Sequence, residues 1–139
     1  MSNIPILRIK DILIVSLQDD LTDRIAIRFQ NDLLQKIHST NTMGVLIDIS
    51  VLDIVDSFLG RILSDTSKMV ILLGAELVIV GMRPSVAITL VELGLQLKDI
   101  VTALDIDHGI EKLNAIVNSK EIEEVDYGEL TEDGKNDFI

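Results

Sequence analysis

The chain of 139 residues is long enough for one folded domain with a hydrophobic core and too short for two ordinary domains. Its formal net charge of −11 argues against nucleic acid or an anionic membrane as a partner, because both bind through a basic surface. Hydrophobic residues make up 47% of the sequence and aromatic residues only 3%, and the absence of cysteine excludes disulfides, thiolate metal sites and cysteine nucleophiles.

Five apolar runs of strand length predict a small sheet. They are PILRI (5–9), ILIVSL (12–17), VLIDI (45–49), LVIVG (77–81) and the weaker IVTAL (100–104). Lys10 and Asp11 form a short polar break between the first two runs, which predicts a hairpin at the start of the domain.

Helical spacing of apolar residues between these runs predicts the helices. Apolar residues recur at every fourth position from Leu21 to Ile37, and Asp19 and Asp20 precede them as predicted caps of the first helix. The later helices are bounded by residues that favour helix starts and ends: Phe58 to Gly74, Pro84 to Gly94, and a fourth after Asp107. The predicted order is β-β-α-β-α-β-α-β-α, an α/β fold.

The C-terminal residues 119–139 differ from the rest of the chain in charge. They carry eight acidic residues against Lys120 and Lys135, so −6 of the net charge of −11 lies in this segment. The segment also has few apolar residues and little periodicity. We therefore predict a folded domain over residues 1–118, followed by a disordered, solvated acidic tail over residues 119–139.

The sequence lacks the motifs of an enzyme, a metal site or a membrane protein. His38 and His108 fall near predicted helix ends, without a cluster of histidine or acidic residues at metal-ligand spacing around them. No glycine-rich phosphate loop, dinucleotide motif or nucleophile elbow is present, so we predict no catalytic residue, no metal and no cofactor. The apolar runs are too short for a membrane span and no signal peptide is predicted, so we expect a cytoplasmic protein.

Acidic residues near the predicted strands raise the hypothesis of a receiver-like domain that is phosphorylated on aspartate. Asp19 and Asp20 follow one strand and Asp48 lies in another, superficially like the acidic pocket of such a domain. Against this interpretation, Asp48 is followed by another apolar residue, and VTALD is not followed by the lysine that the pocket needs. A receiver would also not begin with the extra short strand, so this remains the weaker hypothesis.

The stretch SVLDIVDSFLGRIL, residues 50–63, places Ser57 directly after Asp56 at the start of the second predicted helix. Either side chain can cap that helix, because its oxygen can accept a hydrogen bond from a free amide of the first turn. A hydroxyl at a helix start after a strand is also accessible to a kinase. These residues therefore leave a cap and a phosphorylation site as compatible interpretations.

Three blocks of sequence, in matching order and spacing, carry a resemblance to a known family. IPILRIKDILIVSLQ, GVLIDISVLDIVDSFLGRIL and GMRPSVAITLVELG resemble the STAS family of anti-sigma-factor antagonists over about residues 3–117. Within the family the chain is most similar to the single-domain RsbS type of the bacterial stressosome, in which a phenylalanine also follows the serine, as Phe58 does here. The acidic tail extends beyond the usual end of the family.

The resemblance implies a STAS fold with a small mixed sheet and a non-catalytic scaffold protein. It implies homo- and hetero-oligomers with sensor-bearing, RsbR-type relatives in a large cytoplasmic assembly that holds a serine/threonine switch kinase of the RsbT type. It also implies that the kinase phosphorylates Ser57 and is then released, and that an RsbX-type phosphatase resets the assembly.

Residues predicted to lie near Ser57 are candidates for the docking surface of a partner. They are Asp19, Asp20, Asp53, Asp56, Phe58 and Arg61. Three functions remain open: a phosphorylatable antagonist that sequesters a kinase, a receiver-like signalling domain, and a purely structural STAS subunit in which Ser57 is only a cap.

Overall fold

A computed structural model describes residues 4–95 and 100–120, and its centre is one five-stranded sheet. The strands are β1 (Ile6–Ile9), β2 (Ile12–Ser16), β3 (Gly44–Asp48), β4 (Glu76–Val80) and β5 (Val101–Ala103), and they lie side by side in chain order. β1 and β2 form the predicted antiparallel hairpin, whereas the other neighbouring strands are parallel. The predicted mixed sheet is therefore confirmed.

Within the described residues, four helices connect or follow the strands. They are α1 (Asp23–Ser39), α2 (Ser57–Leu72), α3 (Pro84–Glu92) and α4, which covers residues 106–120. The predicted order β-β-α-β-α-β-α-β-α and the α/β fold class are confirmed. In the parts of the chain that are described, no helix combines the length and the apolar character needed to cross a bilayer.

The predicted cap of α1 is wrong. The cap is Thr22, whose Oγ1 accepts a hydrogen bond from the backbone N–H of Ile25 at 3.2 Å. Asp19 and Asp20 instead occupy a turn before the helix, a position that short acidic side chains also favour. A capping oxygen must belong to the residue directly before the first turn, and both aspartates come too early in the chain.

The central strands β3 and β4 are buried on both faces of the sheet, which explains why they are continuous apolar runs. Successive residues of a strand point to opposite faces. On one face, residues such as Val45 and Ile47 belong to a core shared with α1, α2 and α3. On the other face, Leu46, Val78 and the buried Leu113 of α4 form a second cluster. The parallel strands β2, β3 and β4 all end at one edge, where the connections to α1, α2 and α3 begin.

The predicted acidic tail lies almost entirely outside the described residues. Ser119 and Lys120 belong to the described part of α4, and Lys120 forms an ion pair with Glu76 at the start of β4. For these two residues the predicted disorder is wrong, because they continue the helix. Residues 121–139 lie outside the described part of the chain, and for them the disordered tail stays a prediction.

An exposed pair at the start of α4 gives a pH-dependent prediction. Asp105 Oδ1 accepts from the backbone N–H of His108 at 2.9 Å and lies 2.8 Å from His108 Nδ1. The hydrogen bond to Asp105 raises the pKa of His108 above 6.5, and the backbone and side-chain hydrogen bonds from His108 lower the pKa of Asp105 below 3.8. In Asp105→Asn we expect the pKa of His108, measured by NMR titration, to fall toward its ordinary value.

The directions of these two pKa shifts determine how the stability that the pair contributes depends on pH. A raised histidine pKa stabilises the fold fully below the ordinary pKa and stops doing so as the pH rises through the raised value. A lowered aspartate pKa stabilises the fold above the ordinary pKa and stops doing so as the pH falls through the lowered value. The pair therefore stabilises the fold between the lowered pKa of Asp105 and the raised pKa of His108. An unchanged pKa of His108 in Asp105→Asn would contradict this interpretation.

Candidate functional site

Ser57 is the first residue of α2, at the edge of the sheet where the parallel strands end. It is reached through the β3–α2 loop, residues 49–56, which leaves the sheet after Asp48. Leu52 and Val55 anchor this loop in the core, each with only 3% of its surface exposed. The residues beside these anchors point to solvent, so the loop presents a fixed backbone with exposed side chains.

Asp56 is the cap of α2, and Ser57 is not. The Oδ1 atom of Asp56 accepts a hydrogen bond from the backbone N–H of Leu59 at 2.8 Å. Ser57 is exposed, and its hydroxyl has no hydrogen-bond partner within residues 4–95 and 100–120. Of the two candidate caps that the sequence left open, the structure selects the aspartate, so the serine hydroxyl has no structural role at the helix start.

The first turn of α2 provides a favourable environment for a negative group on Ser57. The amides of the first turn of a helix have no partner within the helix, and the aligned peptide dipoles make this end positive. Of these amides, Leu59 N–H is taken by Asp56. No acidic side chain lies within the first turn itself. A phosphate on Ser57 would therefore lie beside free amides.

The start of α3 lies against the β3–α2 loop. Arg83 donates from Nε to the backbone oxygen of Ser50 at 2.8 Å, and its Nη1 lies 3.6 Å from Asp53 Oδ1. Ser85 donates from Oγ to the backbone oxygen of Asp53 at 2.9 Å. At the other end of the turn, Asp48 Oδ1 accepts from Ser50 N–H at 2.9 Å. Side chains from outside the loop thus hold its backbone.

All six residues predicted to form a docking surface are exposed. They are Asp19, Asp20, Asp53, Asp56, Phe58 and Arg61. The last four lie within four residues of Ser57, and Arg61 shares its face of α2 because it is one helical turn away.

The two aspartates of the turn before α1 belong to a neighbouring loop. The start of α1 and the β3–α2 loop border a cleft of about 110 Å³, lined by Leu21, Thr22, Asp23, Ala26, Ile54, Asp56 and Leu59. This cleft brings the segment after Asp20 close to the segment before Ser57. The structure therefore groups the candidates at one end of the domain, and their binding role stays a prediction.

Three residues at this end were not among the predicted site residues. Ile54 is 85% exposed although it is a large apolar residue, and Arg83 and Ser85 hold the β3–α2 loop. Arg83 and Ser85 come two and four residues after the fourth apolar run, which places them near the edge where parallel strands end but does not reveal their contact with the loop. Ile54 has no such signal, because its apolar side chain does not show whether it points to the core or to solvent.

The three aspartates of the receiver hypothesis do not form one pocket. Asp48 uses a carboxylate oxygen to hold Ser50, while Asp19 and Asp20 are exposed in the turn before α1. Within the described ranges no three histidine, cysteine or acidic side chains come together as a possible metal site. The arrangement therefore lacks the acidic pocket that motivated the hypothesis.

Comparison with known proteins gives one consistent result. The STAS domain family matches residues 3–108. A solved structure of RsbS from Moorella thermoacetica, a serine-to-glutamate variant, is 38% identical, with a TM-score of 0.78 over 84% of this chain and 99% of that chain. A chain of the stressosome, described as a signal integration and transduction hub, is 41% identical, with a TM-score of 0.73 over 81% of this chain and 97% of that one.

A curated relative points the same way over a shorter part of its length. The RsbT co-antagonist protein RsbRA of Bacillus subtilis is 32% identical over 84 residues, which are 60% of this chain and 31% of the relative. The chain thus spans about a third of that relative.

Proposed function

The chain belongs to the STAS family, and from that premise we propose that it is an RsbS-like antagonist that sequesters a serine/threonine switch kinase and releases it when Ser57 is phosphorylated. The observation that carries the proposal is the state of the Ser57 hydroxyl. It is exposed at the first position of α2 and is not used as a cap, because Asp56 has that role. Because the hydroxyl is exposed and is not needed as a cap, it is accessible for modification.

The similar proteins support the choice of partners. The stressosome chain and the RsbT co-antagonist RsbRA are relatives of this protein, and the RsbS structure carries a serine-to-glutamate change, which adds charge at a serine. We propose that the protein co-assembles with RsbR-type relatives in a cytoplasmic stressosome and binds an RsbT-type kinase. An RsbX-type phosphatase would then reset the assembly. In this function the protein is a scaffold and not an enzyme.

The physical mechanism requires no rearrangement of the domain. Phosphorylation adds a charge of about −1.5 to −2 at neutral pH, and the free amides at the start of α2 can accommodate it. Asp53 and Asp56 already make this surface acidic. A docked partner therefore meets added bulk and an unfavourable desolvation of charge, and each loss of about 1.4 kcal/mol lowers its affinity tenfold.

A structural STAS subunit remains the second candidate function. In that case Ser57 would be needed only for capping, and the cap at Asp56 argues against it. For the chain as a whole, we propose a STAS domain over residues 1–118 and an acidic tail over residues 119–139, whose first two residues continue α4. We assign no role to the tail.

The test is to incubate the protein with an RsbT-type kinase and ATP and to map phosphate by intact mass and peptide sequencing. We expect one phosphate, on Ser57, and dissociation of the kinase from the modified protein. Ser57→Ala should accept no phosphate, keep kinase binding and unfold like the wild type, because the Asp56 cap is intact. Ser39→Ala, which removes an exposed serine at the end of α1, is the matched control and should behave like the wild type.

Other outcomes decide between the alternatives. An acid-labile aspartyl phosphate would support the receiver-like domain instead. A protein that binds the kinase but is never modified would be a structural subunit.

A further inference from the structure

We infer that Arg83 and Ser85, at the start of α3, act as positioning residues that set the geometry in which Ser57 is presented to the kinase. This inference rests on the proposed function and names two residues of the same site that the family resemblance did not assign. The first ground is their contacts. Both side chains donate to backbone oxygens of the β3–α2 loop, at Ser50 and Asp53, and not to each other.

The loop needs such contacts because its backbone is irregular. Ile49 N–H still bonds to the oxygen of Val80 in β4. After it the contacts are local: Ser50 N–H bonds to the Asp48 side chain, and Leu52 N–H bonds to the oxygen of Ile49. Polar backbone groups that are not paired in a sheet or helix have many alternative conformations in water. The contacts from Arg83 and Ser85 at the start of α3 select one of these conformations.

The geometry of Arg83 explains why one residue can hold both ends of the turn at 50–53. Its guanidinium is a planar fork, in which Nε reaches the oxygen of Ser50 while Nη1 faces the carboxylate of Asp53. Ser85 holds the peptide oxygen of the same Asp53 and approaches its Oδ1 at 3.4 Å. The ion pair is largely exposed and by itself contributes little stability. The role of the ion pair is to fix the conformation of the turn at residues 50–53.

These contacts act on Ser57 through a short connection. Asp53 is followed by the exposed Ile54, the buried Val55 and the capping Asp56, and Ser57 comes next. A shift of the backbone at Asp53 therefore moves the segment that leads into α2. Transfer of a phosphoryl group needs the attacking hydroxyl within a narrow range of positions, and a misplacement of about 1 Å can lower the rate about a hundredfold.

The experiment compares substitutions at the two contacts with matched controls. Ser85→Ala removes the hydroxyl and Ser85→Thr keeps it, while Arg83→Lys keeps the charge but cannot reach both partners. Thr89→Ala is the control on the same helix, because its hydroxyl bonds only to the backbone oxygen of Ser85. The measurements are kcat and KM for phosphorylation of each variant by the RsbT-type kinase, amide hydrogen exchange of residues 50–57, and thermal unfolding.

We expect Ser85→Ala and Arg83→Lys to lower kcat about tenfold or more, with faster exchange of the Ser50 and Leu52 amides and an unfolding temperature close to that of the wild type. Ser85→Thr should restore the wild-type values, and Thr89→Ala should match them throughout. A purely structural role would instead lower the unfolding temperature and leave kcat of the folded protein unchanged.

Two results would overturn the inference in distinguishable ways. If exchange becomes faster in Ser85→Ala and Arg83→Lys but kcat does not change, the contacts hold the loop without positioning Ser57, while Ser57 phosphorylation itself stands. If exchange and kcat both stay at wild-type values, the contacts do not hold the loop. Absence of phosphate on Ser57 in the wild type would overturn the proposed function, and hydrogen exchange would still decide whether Arg83 and Ser85 hold the loop.

Discussion

Glutamate in place of Ser57 is expected to weaken binding of the RsbT-type kinase at least about tenfold, which is about 1.4 kcal/mol, while the domain stays folded. The carboxylate lies at the positive end of α2, where a negative charge is stabilising by about 0.3–1 kcal/mol. Repulsion from Asp53 and Asp56 opposes this gain, so the free energy of unfolding should stay within about 1 kcal/mol of the wild type. Titration calorimetry with the kinase and urea unfolding measure the two quantities.

Two further substitutions separate charge from size at the same position. Ser57→Gln has nearly the size of the glutamate variant without its charge, and we expect it to bind the kinase more tightly than Ser57→Glu. Ser57→Ala removes only the hydroxyl and should bind like the unmodified protein. Equal binding by the glutamate and alanine variants would contradict the proposed switch, and equal weakening by glutamine and glutamate would assign the effect to bulk.

Alanine in place of Gly81 is expected to lower stability strongly and to act on the β3–α2 loop. Gly81 follows β4 with φ of 75°, in the left-handed region that favours glycine. A Cβ atom added there would lie 2.6 Å from Ser50 Cβ and 2.9 Å from Ser50 Cα. These distances are too short for real contacts, so the backbone at Ser50 would have to move.

A matched glycine isolates the steric part of this effect. Gly74, after α2, has φ of 89° and no atom within 4 Å of an added Cβ. Gly74→Ala should therefore cost only the left-handed conformation, about 1–2 kcal/mol. Gly81→Ala should cost about 1–3 kcal/mol more, because it also forces atoms into an occupied space. Urea unfolding of both variants measures the difference, and equal losses would contradict the contact with Ser50.

The prediction for Gly81 extends to the modification of Ser57. Ser50 accepts the hydrogen bond from Arg83 Nε, so a displaced Ser50 disturbs the turn at residues 50–53. We expect folded Gly81→Ala to be phosphorylated more slowly than folded Gly74→Ala. The segment after β4, from Gly81 to Ser85, is then as much a part of the site as the loop that carries the serine.

Local patterns accounted for most of the secondary structure. The hairpin at Lys10, the helix end at Gly74 and the start of α3 at Pro84 were predicted correctly, since each depends on a few adjacent residues. The cap of α1 was predicted wrongly at Asp19 and Asp20, because acidic residues favour turns as well as caps and the apolar stripe does not show which turn is the first.

The candidate site was predictable only in part. The sequence placed Ser57 and Asp56 at the start of a helix that follows a strand, and both lie there. It did not decide which of them is the cap. That depends on the backbone conformation of the residue before the first turn, since a capping side chain must stand outside the helical φ and ψ range, as Asp56 does.

The sequence by itself determined the order of strands and helices, the membership suggested by its three motif blocks, and the serine at the start of α2. These features depend on periodicity, on turn and cap residues, and on the spacing of short blocks along the chain. Only the tertiary structure decided that Arg83 and Ser85 hold the β3–α2 loop, because their partners Ser50 and Asp53 are 33 and 32 residues away in sequence. The parallel pairing of β3 with β4 brings the two segments to one edge of the sheet, and no local pattern encodes that contact.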